Sequence, residues 1–257
     1  GILIFSNFTD QRLYRQDRGS EPMPLAPNSA LRYADRQLDR RRNHFLCVRE
    51  DHSTTGEAVN TVVRIDLGGS DEVTIVVSGN DFYSSPRPSP DGSQVAWLTW
   101  NHPNMPWDGT ELWIAQLNET GNVIEKEKIA GGVDESIFQP EWSPDGTLYF
   151  VSDRTGWWNL YRWKENNVDP LCQMEAEFGQ PQWVFGSSLY GFASASQIVC
   201  CYTKDGCDFL ATLNTETRAL DRIDVPFATI SQVRAGGDRV LFIGGSSNGT
   251  TSIVFLD

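Results

Sequence analysis

Five carboxylates recur just ahead of runs that read as inner strands: Asp81, then Asp134 and Glu135, then Glu175 and Glu177. Acids gathered at one end of a repeated element make a negative rim. Such a rim suits a cation, for example a free amino terminus held by charge-assisted hydrogen bonds. As solvated loop acids, or as caps on nearby backbone amides, the same residues would do no chemistry. Trp107 and Asp108 lie in a loop six residues longer than its counterpart in the next unit, and an exposed loop carrying Pro, Met and Trp is a second candidate for contact with a ligand. Gly245-Ser246-Ser247-Asn248-Gly249 has the spacing of an activated serine. That chemistry needs a strand-to-helix turn and a later histidine, whereas no histidine follows His102 and the loop reads as a hairpin between strands, so Ser247 is set aside.

Other reactive residues are thinly spread. The histidines His44, His52 and His102 fall in separate units and read as surface or loop residues. The cysteines Cys47, Cys172, Cys200, Cys201 and Cys207 form no Cys-x-x-Cys pair. Neither set has metal-ligand spacing, so no metal is expected, and no nucleotide loop suggests a cofactor. Five scattered thiols fit buried residues in a reducing compartment, and a cytoplasmic location is expected.

The elements that carry these residues repeat. Ser89-Pro90-Asp91-Gly92 returns 54 residues later as Ser143-Pro144-Asp145-Gly146. Each is followed by an apolar run, Val95–Thr99 or Leu148–Ser152, and then by a second, Glu111–Ala115 or Asn159–Trp163. A shift of 50 lays Ile198–Tyr202 and Phe209–Ala211 on the same two features, while His44–Val48 with Thr61–Ile65 supply an earlier copy. Phe5–Asn7 with Leu13–Arg15, and Val240–Ile243 with Ser252–Phe255, supply truncated copies at the ends. Runs this short, rich in β-branched and aromatic residues and punctuated by Asp-Gly turns, are strands. No stretch holds a helical spacing; Ala30–Arg42 has helical propensity but too thin an apolar face. The expectation is an all-β propeller of four-stranded blades, about six visible in part or whole, at roughly 1–27, 28–78, 79–131, 132–173, 174–226 and 227–257. Trp97, Trp142, Trp183, Phe150 and Tyr161 are expected to fill the wedges between blades. A shift of 41 superposes Gln180-Pro181-Gln182-Trp183 on Gln139-Pro140-Glu141-Trp142, which places an inner strand directly after Glu177.

Ser-Pro-Asp-Gly, an apolar strand and then Ser152-Asp153-Arg154-Thr155-Gly156-Trp157-Trp158-Asn159-Leu160-Tyr161 resemble the repeat of TolB-type and prolyl-oligopeptidase-type propellers. The longer run from Trp97 to Trp113, with Phe138–Trp142 and Met174–Gly179, resembles the N-terminal propeller of the prolyl oligopeptidase family of serine peptidases. The acylaminoacyl-peptidase and dipeptidyl-aminopeptidase-like branch is the nearest. The resemblance implies a propeller that gates and recognises short peptides for a C-terminal α/β-hydrolase domain carrying a Ser, Asp, His triad. That domain is absent from these residues, so this chain alone is expected to catalyse nothing. In related dipeptidyl peptidases propeller acids anchor the substrate amine, which is the role implied for Asp81, Asp134, Glu135, Glu175 and Glu177.

The 257 residues carry a net charge of −13. A surface that acidic repels phosphate, so nucleic acid and anionic membranes are not expected partners, and no run is long and apolar enough for a membrane helix. Both ends read as cut from a longer polypeptide, and the segment is expected to fold well only within it. Two other classes stay open: a stand-alone TolB-like propeller binding a protein or ligand, and a propeller enzyme such as a lactonase or glycosidase with acids converging on its channel.

Overall fold

The computed structural model describes residues 1–26, 30–68, 73–246 and 248–257, and none of them is helical. Each repeated pair of apolar runs is a pair of adjacent strands, and the whole is a β-propeller of sheets that follow one another along the chain. Two compact units are distinguished, Gly1–Met105 with Leu112–Lys128, and Pro106–Glu111 with Ile129–Asp257.

The first unit holds a three-stranded sheet of β1 (Ile2–Ser6), β2 (Leu13–Asp17) and β3 (Met23–Pro24). A four-stranded sheet follows, of β4 (Leu31–Asp39), β5 (His44–Asp51), β6 (Val59–Asp66) and β7 (Val73–Val77). Most of a third belongs here too: β8 (Phe82–Pro88), β9 (Gln94–Trp100), β10 (Glu111–Leu117) and β11 (Val123–Gly131). Ala30–Arg42 is therefore largely strand. In β5, Leu46 and Val48 enter one apolar cluster with Val62, Tyr83 and Trp97, while Cys47 enters another with Leu13, Tyr33 and Val63. A strand buried on both faces needs a continuous apolar run rather than alternation, and that is why these runs stood out in the sequence. β11 is the contrast: its exposed Glu125-Lys126-Glu127-Lys128 marks an edge strand protected by charge.

The second unit holds β12 (Ile137–Trp142), β13 (Leu148–Ser152), β14 (Asn159–Lys164) and β15 (Asn167–Cys172) as one sheet. Its next sheet is β16 (Tyr190–Ser194), β17 (Gln197–Lys204), β18 (Cys207–Asn214) and β19 (Leu220–Ile223). The last is β20 (Thr229–Gly236), β21 (Arg239–Gly245) and β22 (Ser252–Leu256). The first and last sheets of the chain thus have three described strands, not four. One cluster running from Phe138 through Ile198 and Leu210 to Phe242 forms this unit's core. Each fully buried side chain of that size contributes about 1.5–3 kcal/mol.

The two Ser-Pro-Asp-Gly segments are the β8–β9 and β12–β13 turns. Ser89 Oγ accepts from the Gln94 amide at 2.9 Å and Asp91 Oδ1 from the Ser93 amide at 3.0 Å. Ser143 and Asp145 repeat this on the Thr147 amide. Gly92 and Gly146 take φ of +69° and +84°, which is why the turn ends in glycine. The hydrogen bond from Ser89 and the Ser93 amide hold Asp91 below the usual carboxylate range.

Four of the inner strands share a feature that the sequence did not announce. Asp35 in β4, Ser85 in β8, Gln139 in β12 and Gln232 in β20 all have positive φ, and each sits where the register with the next strand slips. These are bulges, and at Asp35 and Gln139 they aim the side chain at the next inner strand. Asp35 Oδ2 accepts from the Ser85 amide at 2.5 Å, and Arg87 lies 3.6 Å from Asp35 with both side chains buried. Gln139 donates to Ser188 Oγ at 3.0 Å and to the Tyr190 carbonyl at 2.8 Å, and accepts from the Leu189 amide at 2.7 Å. Ser188 Oγ in turn donates to the Val233 carbonyl at 2.8 Å. In this unit the three sheets are therefore stitched at their inner strands.

Candidate functional site

Strand register fixes which connections share an end of the β12–β15 sheet. Ile137 pairs with Ser152, Ser152 with Asn159, and Leu160 with Cys172. The segments 132–136, 153–158 and 173–189 therefore leave from one end. The Glu177–Thr203 bridge brings the last of them to the matching end of the β16–β19 sheet.

Three carboxylates meet there. Glu135 Oε1 accepts from Ser152 Oγ at 2.6 Å and from Arg154 Nε and Nη2 at 2.9 and 2.8 Å. Glu177 Oε2 accepts from the Trp158 amide at 2.8 Å. Asp153 Oδ1 accepts from the Ser136 amide at 2.7 Å. Burial pushes the Asp153 carboxyl above its ordinary value, and the negative charges of Glu135 and Glu177 push the same way, against the hydrogen bond from Ser136. Asp153 was not singled out in the sequence. Its only signal there is its place, one residue beyond a fully buried strand end.

The predicted acids divide into two kinds. Glu135 and Glu177 hold backbone and side-chain donors, so part of their capacity is spent on the scaffold. Asp134 and Glu175 are exposed on the same two connections, and neither makes a hydrogen bond or ion pair among the described residues. Asp81 belongs to the first unit, where its Oδ2 accepts from the His102 amide at 2.9 Å and its own amide donates to Asn101 Oδ1 at 2.8 Å. It ties the 101–102 turn to the start of β8.

The alignment that put an inner strand at Gln180–Trp183 is corrected. The strand that pairs with β17 is Tyr190–Ser194, and 173–189 is a 17-residue connection. Gln180-Pro181-Gln182-Trp183 copies the residue types of Gln139–Trp142 without their surroundings. Trp183 accordingly does not fill a wedge: it is 74% exposed, while Trp97, Phe150 and Tyr161 are buried as expected. The thiols are likewise not all buried, since Cys207 is exposed and Cys172 half-buried. His44 lies on strand β5, and burial lowers its pKa.

Trp107 and Asp108 lie in the β9–β10 connection, ten residues against six for β13–β14, the other two of the sequence difference being in the longer β9. The part Pro106–Thr110 is pinned to the start of β12. Ser136 Oγ donates to the Pro106 carbonyl at 3.0 Å, the Thr110 amide to the Glu135 carbonyl at 2.9 Å, and the Ile137 amide to Thr110 Oγ1 at 2.6 Å. Gly131, at φ +86°, lets this happen, since a Cβ there would stand 1.9 Å from the Thr110 carbonyl oxygen. The anchored Trp107 meets Trp183 with ring centroids 4.2 Å apart and planes tilted by 43°.

The Gly245–Gly249 segment lies where β21 leads into β22, two antiparallel strands, which is not the strand-to-helix turn a nucleophile elbow needs. Ser247 itself lies outside the described residues.

Among solved structures, the chain is similar over its whole length to a puromycin hydrolase, with 34% identity and a TM-score of 0.93, and it spans 42% of that protein, its propeller portion. A Mycobacterium tuberculosis puromycin-hydrolyzing peptidase gives the same identity, coverage and TM-score. Prolyl oligopeptidase B from Galerina marginata shares the fold at 14% identity and a TM-score of 0.69, over 95% of this chain and 36% of that one. No protein-family profile and no curated protein matches the chain.

Proposed function

We propose that this chain is the substrate-recognition propeller of a serine peptidase of the prolyl oligopeptidase family, of the acylaminoacyl-peptidase and dipeptidyl-aminopeptidase-like branch. In this reading the triad belongs to an α/β-hydrolase domain outside these residues, and the propeller admits short peptides and excludes folded protein. The observation that carries the reading is the match along the entire chain to a puromycin hydrolase of which it spans only 42%.

Within the propeller, the acidic sheet ends of the second unit receive the free amino terminus. Glu175 and Asp134 are exposed and unengaged, and so have full lone-pair capacity for an ammonium group. Glu135 is ion-paired with Arg154 and Glu177 is held by the Trp158 amide, so these two acids fix the connections that carry Asp134 and Glu175. In this reading the protein acts in the cytoplasm, where five scattered thiols suit a reducing compartment.

The test is kinetic, in the full-length protein. Asp134→Asn combined with Glu175→Gln should raise KM about ten-fold for peptides with a free amino terminus, the worth of one charge-assisted hydrogen bond. Blocked peptides should be unaffected. Equal changes for free and blocked peptides would sink the amine reading.

A further inference from the structure

One guanidinium in the first unit is withdrawn from solvent with nothing to hold. Arg49 is half-buried, its Nε is sealed from water without a hydrogen-bond partner, and it makes no ion pair among the described residues. The other described arginines that are half-buried or buried each hold an oxygen, as Arg12 holds the Ala26 carbonyl and Arg36 the Ser6 hydroxyl. From this exception and its neighbours we infer that Arg49, Tyr33 and Thr61 form a binding site for a small carboxylate with a short apolar tail.

Strand register brings the three together. Tyr33 in β4 is paired with Arg49 in β5, and Arg49 with Thr61 in β6. Residues directly opposite in adjacent strands have Cβ atoms about 4.5–5.5 Å apart and project from the same face of the sheet. Tyr33 Oη and Thr61 Oγ1 are also buried without partners, in residues only 4% and 3% exposed. Unpaired buried polar groups are costly and rare, so three in one cross-strand row mark a place that a ligand completes. On this face Tyr33 packs with Leu13, Cys47 and Val63, and Ser6 Oγ donates to the Tyr33 carbonyl at 2.9 Å, which sets the row where the first sheet meets the second. Each of the three lies two residues in from the strand end at which the 52–58 connection leaves, so the way in from solvent is short.

The donors identify the ligand. Burial pushes the Tyr33 phenol up to about 12, and the Arg49 charge only partly opposes it, so the hydroxyl keeps its proton and donates. A guanidinium between two hydroxyl donors suits an oxyanion, and its planar fork matches a carboxylate. One cation balances one negative charge, which favours a carboxylate over a phosphate dianion. Asp51, two residues beyond Arg49 on the same face, strengthens that preference. Its carboxylate accepts from the Ser53 amide at 2.9 Å and forms no ion pair with Arg49, so it repels any second negative charge. Leu13, Cys47 and Val63 supply apolar surface for a short aliphatic tail.

The experiment titrates isobutyrate against the full-length protein by ligand-observed NMR, with isobutyramide as the uncharged control. Isobutyrate should bind saturably, and isobutyramide at least about ten-fold more weakly. Arg49→Gln should weaken isobutyrate about ten- to hundred-fold, and Tyr33→Phe and Thr61→Val about three- to ten-fold each. In the ligand-free protein the two hydroxyl variants should leave the melting temperature unchanged or raise it, since each removes a buried group that has no partner. A lower melting temperature in both with unchanged affinity makes the hydroxyls part of the scaffold and overturns the inference. So does the lack of saturable isobutyrate binding, or binding that Arg49→Gln leaves intact. Inorganic phosphate that binds through Arg49 more tightly than isobutyrate overturns the carboxylate assignment. N-Acetylvaline separates the two sources of such a group. Binding through Arg49 at least as tight as that of isobutyrate gives the site to the carboxyl end of a peptide, and weaker binding gives it to a free aliphatic acid.

Discussion

Glu175 and Glu177 are two residues apart on one connection, and the geometry gives them opposite jobs. Glu177→Ala removes an ionised acceptor 2.8 Å from the Trp158 amide, a bond that also fixes the 173–189 connection against β14. A hydrogen bond to a charged group contributes about 1.5–3 kcal/mol. Part of the loss is offset, because Glu177 is one of the two negative charges that oppose ionisation of Asp153. The net cost is then about 1–2 kcal/mol. For a chain of this size that is a fall in Tm of roughly 3–6 °C, measured by calorimetry or tryptophan fluorescence. Glu177→Gln keeps an acceptor oxygen and should lose about half as much. Glu175→Gln touches no partner among the described residues and should move stability by less than about 0.5 kcal/mol. A destabilisation by Glu175→Gln as large as that by Glu177→Ala would refute the division of the acids into scaffold and free groups. So would an unchanged melt for Glu177→Ala.

Two further outcomes follow from the fold. Gln139 is buried, has φ of +46° and makes three side-chain hydrogen bonds to residues 188–190, so Gln139→Ala should cost about 3–5 kcal/mol in urea unfolding. Gln139→Gly should be milder by about 1 kcal/mol, the reverse of the usual order in strands, because only glycine relieves the left-handed backbone. A Gly variant weaker than Ala would contradict the bulge as drawn. Asp153 has a raised folded pKa, so the stability linked to its protonation is fully present below the ordinary aspartate range and is lost as pH rises through the folded value. Asp153→Asn keeps an acceptor for the Ser136 amide and should therefore stabilise the protein at pH 7 and leave it unchanged at pH 3, a crossover that paired melts would detect.

The strands were legible because burial on both faces writes itself into the sequence as unbroken apolar runs, and the Asp-Gly turns mark where each run reverses. β9, β13 and β17 are all of this kind. The bulges were not legible, since Asp35, Ser85, Gln139 and Gln232 share a backbone conformation and no residue type. Their positive φ is imposed by partners about fifty residues away, such as Ser85 for Asp35 and Leu189 for Gln139. The carboxylates were found by position, but their division into engaged and free was invisible, because the donors to Glu135 and Glu177 come from the end of β13 and the β13–β14 connection, 17 to 19 residues away.

The error at Gln180–Trp183 teaches the most about where function lies. Gln-Pro-x-Trp recurs in both places, yet one copy is a buried strand and the other an exposed loop. What separates them is whether a neighbouring inner strand is there to receive the glutamine. At Gln139 the amide finds Ser188 and Tyr190. The true inner strand, Tyr190–Ser194, is instead placed by Gly191, where a Cβ would stand 2.8 Å from the Ala235 nitrogen. Close packing against β20 thus selects a strand with no distinctive pattern, and the residues displaced from the repeat are free to do something else. In a fold built from copies of one unit, the repeat explains itself by packing, so the departures from it carry the information about ligands. The 17-residue connection with its exposed indole is the largest such departure in the described chain.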